Sequence, residues 1–436
     1  MKRLAAILGL SVLMSFSFAA EKIQITFWHA FGGGRTAFIE RAVQDFNYTH
    51  PGIEVKAEYK GSYRDTLNAA ILAAKQGNAP HIVQIFEVGS QMAIDSGIFV
   101  PIEDYVPAEL KFQLDDYIKP VANYYRIGGK FNSIPWNSSN PILYYNKDIF
   151  KKAGLDPNNP PKTFNEVVEA CKKIEATKAA PKCITWPLHS WFVEQWVAEQ
   201  GALLANNENG RAARATDVYV DSEAMKRIMK WWKGLYDKGY YAYTGKPEDW
   251  DGANQLFVSK QAAMEITSTS DVTFMQNASY ENGFELGTGF LPVPDGIERN
   301  GTVVGGASLW LTKGHPQKEQ EAALTFLLWF TNTENMVRWH KGTGYFPVLN
   351  TSVKVLDWQH WFTRNPAYKA AFDQLLQSKA NRATQGALIG PFPEVRTIIE
   401  NMVQEIFQGK DIAKALAEAD AKADKALKDY NAAVAK

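Results

Sequence analysis

Between residues 23 and 86 the hydrophobic period alternates between two and about 3.6, and that alternation limits the folds open to the chain. Ile23 to Trp28 alternates as a strand. Thr36 to Tyr48 places Phe38, Ile39, Ala42, Val43 and Phe46 on one helical stripe. Ile53 to Tyr59 reads as a second strand, Arg64 to Gln76 as a second helix, and Ile82 to Phe86 as a third strand, apolar except for Gln84. A β-α-β-α-β run predicts an α/β fold, a parallel sheet with helices on both faces. Ligands of such sheets sit beyond the carboxyl ends of the strands, so the loops after Trp28, Tyr59 and Phe86 are the ones to watch.

A second unit starts near Pro141. Ile142 to Tyr145 reads as a short buried strand, Asn146 as the cap of the next helix, and Gly154 as its left-handed terminator. Thr163 opens another helix, where the Thr-x-x-Glu spacing to Glu166 predicts a capping box and Pro160 and Pro161 keep the preceding chain extended. Helices are expected around 147 to 153, 163 to 177, 190 to 205 and 222 to 237. Strand-like segments recur at Gln261 to Ile266, Thr288 to Leu291 and Ala307 to Leu311, and helices return at Lys318 to Thr331 and after Asp357. Asp411 to Lys436 carries Ile412, Leu416, Ala419 and Leu427 at helical spacing and reads as an amphipathic helix packed on a lobe.

Lys2 and Arg3 precede an apolar run from Leu4 to Phe18, with small residues at Ser17 and Ala19, so residues 1–19 are expected to be a secretory leader cut after Ala19. No later stretch approaches about 18 apolar residues, and no cysteine lies near the cut to carry a lipid, so a free periplasmic protein is expected. Removing the leader leaves 45 basic against 47 acidic residues with no basic block, which argues against nucleic-acid binding. Roughly 417 mature residues exceed what one core usually serves, and two domains follow. The aromatic share of 13% serves cores, and it also suits flat surfaces that stack on sugar or polyol carbons.

Cys171 and Cys183 are the two cysteines, and an exported compartment lets them pair across a helix end and an Ala-Ala-Pro turn. The alternative is two unpaired small hydrophobes; no His lies beside them at metal-ligand spacing. The chain has no Gly-x-Ser-x-Gly elbow, His-Glu-x-x-His, Gly-Lys-Ser/Thr loop or Cys-x-x-Cys. A hydrolase using two carboxylates, such as Glu87 and Asp271, is the catalytic alternative that leaves no motif. Gly32-Gly33-Gly34 either turns N–H groups toward an anion at a helix start or serves as a permissive turn. His29 reads as a structural histidine at the cleft edge.

The run Leu143-Tyr-Tyr-Asn-Lys-Asp-x-Phe-Lys-Lys-Ala-Gly-Leu-Asp-Pro157 resembles extracellular solute-binding proteins of ABC importers, in the branch that binds sugars and polyols. The resemblance implies a two-lobed periplasmic-binding-protein fold of type II, like maltose-binding protein, with discontinuous lobes joined by a hinge that closes over ligand. The expected lobes are residues 20–137 with 287–345, and 138–286 with 346–436. It also implies a monomeric carrier without cofactor that hands its ligand to the transmembrane subunits of an ABC permease.

Seven places narrow the resemblance to the glycerol-3-phosphate binders of that class: Tyr-Lys-Gly-Ser-Tyr63, Gln-Ile-Phe-Glu87, Asn-Ser-Ser139-Asn-Pro, Ser268 in Ile-Thr-Ser-Thr-Ser, Gly-Gly306-Ala-Ser-Leu-Trp, Thr-Gly-Tyr345-Phe-Pro and Pro-Glu-Val-Arg396. They imply that Tyr63, Glu87, Ser139, Ser268, Gly306, Tyr345 and Arg396 contact a small phosphorylated polyol. Arg396 is the expected fork on phosphate, with Ser139, Ser268, Tyr345 and the Gly306 N–H around the same anion, Glu87 accepting from glycerol hydroxyls and Tyr63 closing the other side. Trp186 and Trp191 lie where the resemblance implies cleft tryptophans, but their spacing departs from the pattern and leaves open which indole faces ligand. An indole over a choline head extends the range to glycerophosphodiesters such as glycerophosphocholine. A neutral oligosaccharide binder is the alternative if Arg396 points away and the tryptophans form a platform.

Overall fold

The alternating patterns become two separate sheets in the computed structural model, which describes residues 22–435; the expected leader lies outside them. The strands are β1 (Ile23–His29), β2 (Ile53–Tyr59), β3 (Ile82–Phe86), β4 (Arg126–Ile127), β5 (Lys130–Phe131), β6 (Ile134–Ser139), β7 (Pro141–Asn146), β8 (Lys182–Thr185), β9 (Tyr241–Ala242), β10 (Ala262–Ser268), β11 (Leu286–Gly289) and β12 (Gly305–Leu311). One five-stranded sheet has the order β2-β1-β3-β12-β6, the other β11-β7-β10-β8-β9, and β4 and β5 form a small hairpin. β1 pairs parallel with β2 and β3, and β12 runs antiparallel to β3 and β6. The second sheet repeats the plan: β8 is parallel to β9 and β10, while β7 is antiparallel to β10 and β11. This is the two-lobed α/β architecture that the resemblance implied.

The chain passes between sheets at two places that set the site. β6 stays paired with β12 as far as Ser139, and only Asn140 separates it from β7 of the other sheet. The crossing therefore falls at Asn140 rather than after residue 137. β11 pairs with β7 from Leu286 through Gly289, so the return falls between Gly289 and Gly305 rather than at 287. Ladder pairing decides both points, and hydrophobic pattern does not report it.

Local signals hold in part. The Asn146 side chain accepts from the N–H groups of Asp148 and Ile149 at 3.0 Å, and Gly154 has φ +70°. Thr163 accepts from the Glu166 N–H at 3.2 Å, but Glu166 folds back onto the Lys162 N–H, one residue before the cap, so half of the expected box forms. Cys171, in the helix Phe164–Ala176, is disulfide-bonded to Cys183 of β8 with Cα atoms 5.2 Å apart. The C-terminal helix Ile412–Val434 buries Leu416, Ala419 and Leu427 as expected and packs on the helix Phe392–Phe407. Apolar packing also crosses between the lobes: Phe86 and Val88 of the first share one cluster with Trp191 and Phe392 of the second.

Candidate ligand-binding cleft

Glu87 follows β3 directly, at the carboxyl end of a parallel strand, and begins a single 3₁₀ turn. Arg396 lies one turn into the helix Phe392–Phe407 of the facing lobe and donates through Nη2 to Glu87 at 2.6 Å. Its Nε and Nη2 also donate to the two oxygens of Glu194, at 2.7 and 2.8 Å. Glu194 sits on the helix Ser190–Glu199, whose start is capped by His189 accepting the Trp191 N–H at 3.0 Å. All three charged side chains are buried. Burial pushes the Glu87 carboxyl up, the Arg396 charge pulls it down, and the Glu194 carboxylate raises it again. Burial disfavours the Arg396 cation, but the two carboxylates outweigh it and hold the guanidinium charged. Arg396 Nη1 makes no hydrogen bond among the described residues.

Glu87 and Glu194 border a cavity between the lobes, lined also by Tyr124, Trp191, Gln195 and Phe392, with a volume of about 10 Å³. That is room for about one water, so any larger ligand enters only when the lobes part.

A second polar cluster is aromatic. Tyr63 opens the helix Tyr63–Lys75, stacks on Phe86 with centroids 5.6 Å apart, and its hydroxyl accepts from Asn137 Nδ2 at 2.9 Å. Tyr345 follows Gly344, the left-handed end of the helix Thr333–Thr343, and stacks on Trp339 at 5.5 Å. Ser268 ends β10; its Oγ accepts the Ser270 N–H at 3.1 Å and its carbonyl accepts from the Tyr144 hydroxyl at 2.9 Å. Arg35 reaches this turn from the first lobe, its guanidinium 5.3 Å from the Tyr345 ring centroid, and pairs with Asp271 at 3.2 Å.

Ser139 and Gly306 lie where β6 and β12 meet, with Gly306 opposite Ser138 and Gly305 opposite Ser139. Gly306 has φ +105°, and a Cβ there would sit 1.8 Å from the Asn137 carbonyl oxygen. The strand pairing itself thus demands glycine. A Cβ on Gly305 would meet the Trp191 indole at 2.6 Å, which brings Trp191 onto the cleft floor. Trp186 is elsewhere: it packs among Trp196, Trp231, Trp232 and Tyr241 in the second lobe's core, correcting any expectation that it faces ligand.

Other expectations are also revised. The Arg396 fork is occupied by carboxylates; its partners are Glu87 and Glu194, neither Glu394 nor Glu400 of its own helix. Glu87 and Asp271 are each committed to a different arginine, an arrangement unlike a pair of hydrolytic acids sharing one substrate bond. His29, by contrast, is the structural histidine expected: it is buried, accepts the Phe31 N–H on Nδ1, and its pKa is lowered by burial to about 4. Two sets, His81 with His315 and Glu319, and His189 with Glu248 and Glu400, gather metal-ligand atom types. In each, the first histidine's Nδ1 accepts a backbone N–H, from Thr26 or Trp191, which places the neutral ring's proton on Nε2 and leaves no lone pair for an ion. The residues the sequence did not single out are Glu194, Gln195, Asn137 and Arg35. The signal for the first two was there: Glu-Gln interrupts the otherwise apolar run Trp191-Phe-Val-Glu-Gln-Trp-Val-Ala198, and the helix it forms is buried along all ten residues.

Residues 41–370 match the family described as bacterial extracellular solute-binding protein. The sn-glycerol-3-phosphate-binding periplasmic protein UgpB of Salmonella typhimurium is 31% identical over 417 residues, 92% of each chain. Its Brucella suis counterpart is 31% identical over 435 residues, 99% of this chain and 98% of that one. Among solved structures, UgpB of Mycobacterium tuberculosis in complex with glycerophosphocholine superposes with TM-score 0.76 at 21% identity, covering 93% of this chain and 98% of that one. The cyclic alpha-maltosyl-1,6-maltose binding protein of Arthrobacter globiformis gives 0.75 at 22% identity, covering 94% and 100%. The chain belongs to the bacterial extracellular solute-binding protein family.

Proposed function

We propose that this chain is the periplasmic solute-binding component of an ABC importer, a monomeric carrier that captures sn-glycerol 3-phosphate or a glycerophosphodiester between its lobes and presents it to the permease. The observation that carries the reading is the division of the cleft into two ends of different chemistry. At one end the Glu87 and Glu194 carboxylates accept and Arg396 Nη1 donates, which suits the vicinal hydroxyls of glycerol. At the other, the hydroxyls of Tyr63, Ser268 and Tyr345 supply neutral donors for phosphate, with Ser139 between the ends. The two carboxylates already bonded to Arg396 argue for placing phosphate away from it. No covalent step and no cofactor enter this reading; capture and release are closure and opening. The oligosaccharide alternative needs a long tryptophan platform, and Trp186 in the core removes half of it.

Thermal unfolding with excess ligand tests the reading. Glycerol 3-phosphate at about 100 times its Kd should stabilise the protein by about 2.7 kcal/mol. No shift with glycerol 3-phosphate or glycerophosphocholine, alongside a shift with maltotriose, contradicts it.

A further inference from the structure

We propose that Arg35 contacts ligand and sets specificity: it supplies the positive charge at the phosphate end of the cleft and tilts this chain toward a phosphate monoester dianion over a choline diester. The proposal rests on the functional reading above. Arg35 is the third residue of the helix Gly33–Thr49, just beyond the carboxyl end of β1, and its guanidinium crosses to the opposite lobe. Nη2 alone makes the crossing, to the Ser270 carbonyl at 3.3 Å, the Ser270 hydroxyl at 3.2 Å and Asp271 Oδ1 at 3.2 Å. Three acceptors sharing one nitrogen at the long end of the hydrogen-bond range are weakly held. Nε and Nη1 have no partner among the described residues. Arg396, by contrast, is gripped by three bonds of 2.6 to 2.8 Å.

The surroundings of Arg35 are those of an anion site. Its guanidinium lies over the rings of Phe31 and Tyr345, 5.4 and 5.3 Å from their centroids, and the Tyr63 ring meets the same Phe31 ring at 6.0 Å. It lands on the turn whose Ser270 N–H is held by Ser268. Of the seven residues singled out in the sequence, Tyr345 thus touches it directly, while Ser268 and Tyr63 are each one residue removed, through Ser270 and Phe31. Asp271 also accepts from Thr267 Oγ1 at 2.9 Å, so it stays hydrogen-bonded when Arg35 turns its fork onto phosphate oxygens. A dianion gains most from that exchange, because a guanidinium fork matches two phosphate oxygens. A trimethylammonium head instead finds the Phe31 and Tyr345 faces already covered by a cation.

Calorimetric titrations of the wild type, Arg35→Gln and Arg35→Lys with glycerol 3-phosphate and glycerophosphocholine, at about pH 8 where the monoester is a dianion, test this. Arg35→Gln should weaken glycerol 3-phosphate about 10- to 100-fold and leave glycerophosphocholine within about threefold. Arg35→Lys keeps the charge without the fork; it should retain a preference for the monoester, and it decides the matter if Arg35→Gln does not fold. Equal weakening of both ligands means that Arg35 only ties the lobes together and overturns the proposal, as does no change with either. A wild type that binds neither compound sinks the functional reading itself, an outcome visible before any variant is made.

Discussion

Arg396 is the residue whose environment says most, because it holds two buried carboxylates that no other cation pairs with among the described residues. Arg396→Met leaves Glu87 and Glu194 facing each other out of water, and breaking such a buried pair costs about 3–5 kcal/mol. Denaturant unfolding of the ligand-free variant checks this, and a loss below about 1 kcal/mol would mean that the triad is solvated. His340 makes a different kind of prediction. It donates from Nδ1 to the Tyr345 carbonyl at 2.7 Å and accepts the Trp361 indole N–H on Nε2 at 3.1 Å, so both nitrogens are satisfied only in the neutral ring. Burial lowers it from 6.5 to about 4. Between those values the unfolded chain holds a proton that the folded one does not, so this residue's contribution falls as pH drops from 6.5 toward 4, by about 3 kcal/mol. Glu199 and Glu400, both pushed up to about 7 by burial, act with the opposite sign in an overlapping window. The measurable quantity is therefore the difference in pH slope between wild type and His340→Gln: from pH 6.5 toward 4 the wild type should lose more stability, or gain less, than the variant, and identical slopes would place His340 in contact with water.

At the scale of elements, the disulfide and the β6–β12 junction carry distinct loads. Cys171–Cys183 closes a loop of sequence separation 12 between a helix and the strand after it, and the double Cys→Ala variant should lose about 2–3 kcal/mol. Gly306→Ala drives a methyl into the Asn137 carbonyl. It should spoil the pairing that carries Ser139 and cost ligand affinity together with stability, whereas loss of affinity alone would make Gly306 a ligand contact only. The strands β1, β2 and β3 were legible because each alternates or runs apolar between helices of clear period. β6 was not, because Ile-Pro-Trp-Asn-Ser-Ser mixes proline and polar residues yet every one is buried. The same limit explains the site. Glu87 stands out as a carboxylate after an apolar strand, but that Arg396 would meet it and Glu194, across 309 and 202 residues of chain, depends on how the lobes face each other. Trp186 and Trp191 look alike in sequence, and only the start of the helix at Ser190 separates core from cleft.

For the whole molecule, closure of the lobes is held by contacts away from the cleft as well as in it. Arg214 in the second lobe grips Asp95 of the first at 2.6 and 2.9 Å, and the Tyr430 hydroxyl donates to the same carboxylate at 3.0 Å. This tie lies outside the residues that line the cavity, so it favours the closed form whatever the ligand. Asp95→Asn should weaken all ligands by one common factor and enlarge the radius of gyration seen by small-angle scattering; a change confined to one ligand would place Asp95 in the site. A ligand shifts the hinge only by what it gains from touching both lobes at once, which phosphate and glycerol do in this reading by joining the two ends of the cleft. The most direct measurement is a parallel calorimetric titration of the protein from residue 20 onward with glycerol 3-phosphate, glycerophosphocholine and maltose. Micromolar or tighter binding of a phosphate ligand with no binding of maltose is the predicted result; binding of maltose alone contradicts it.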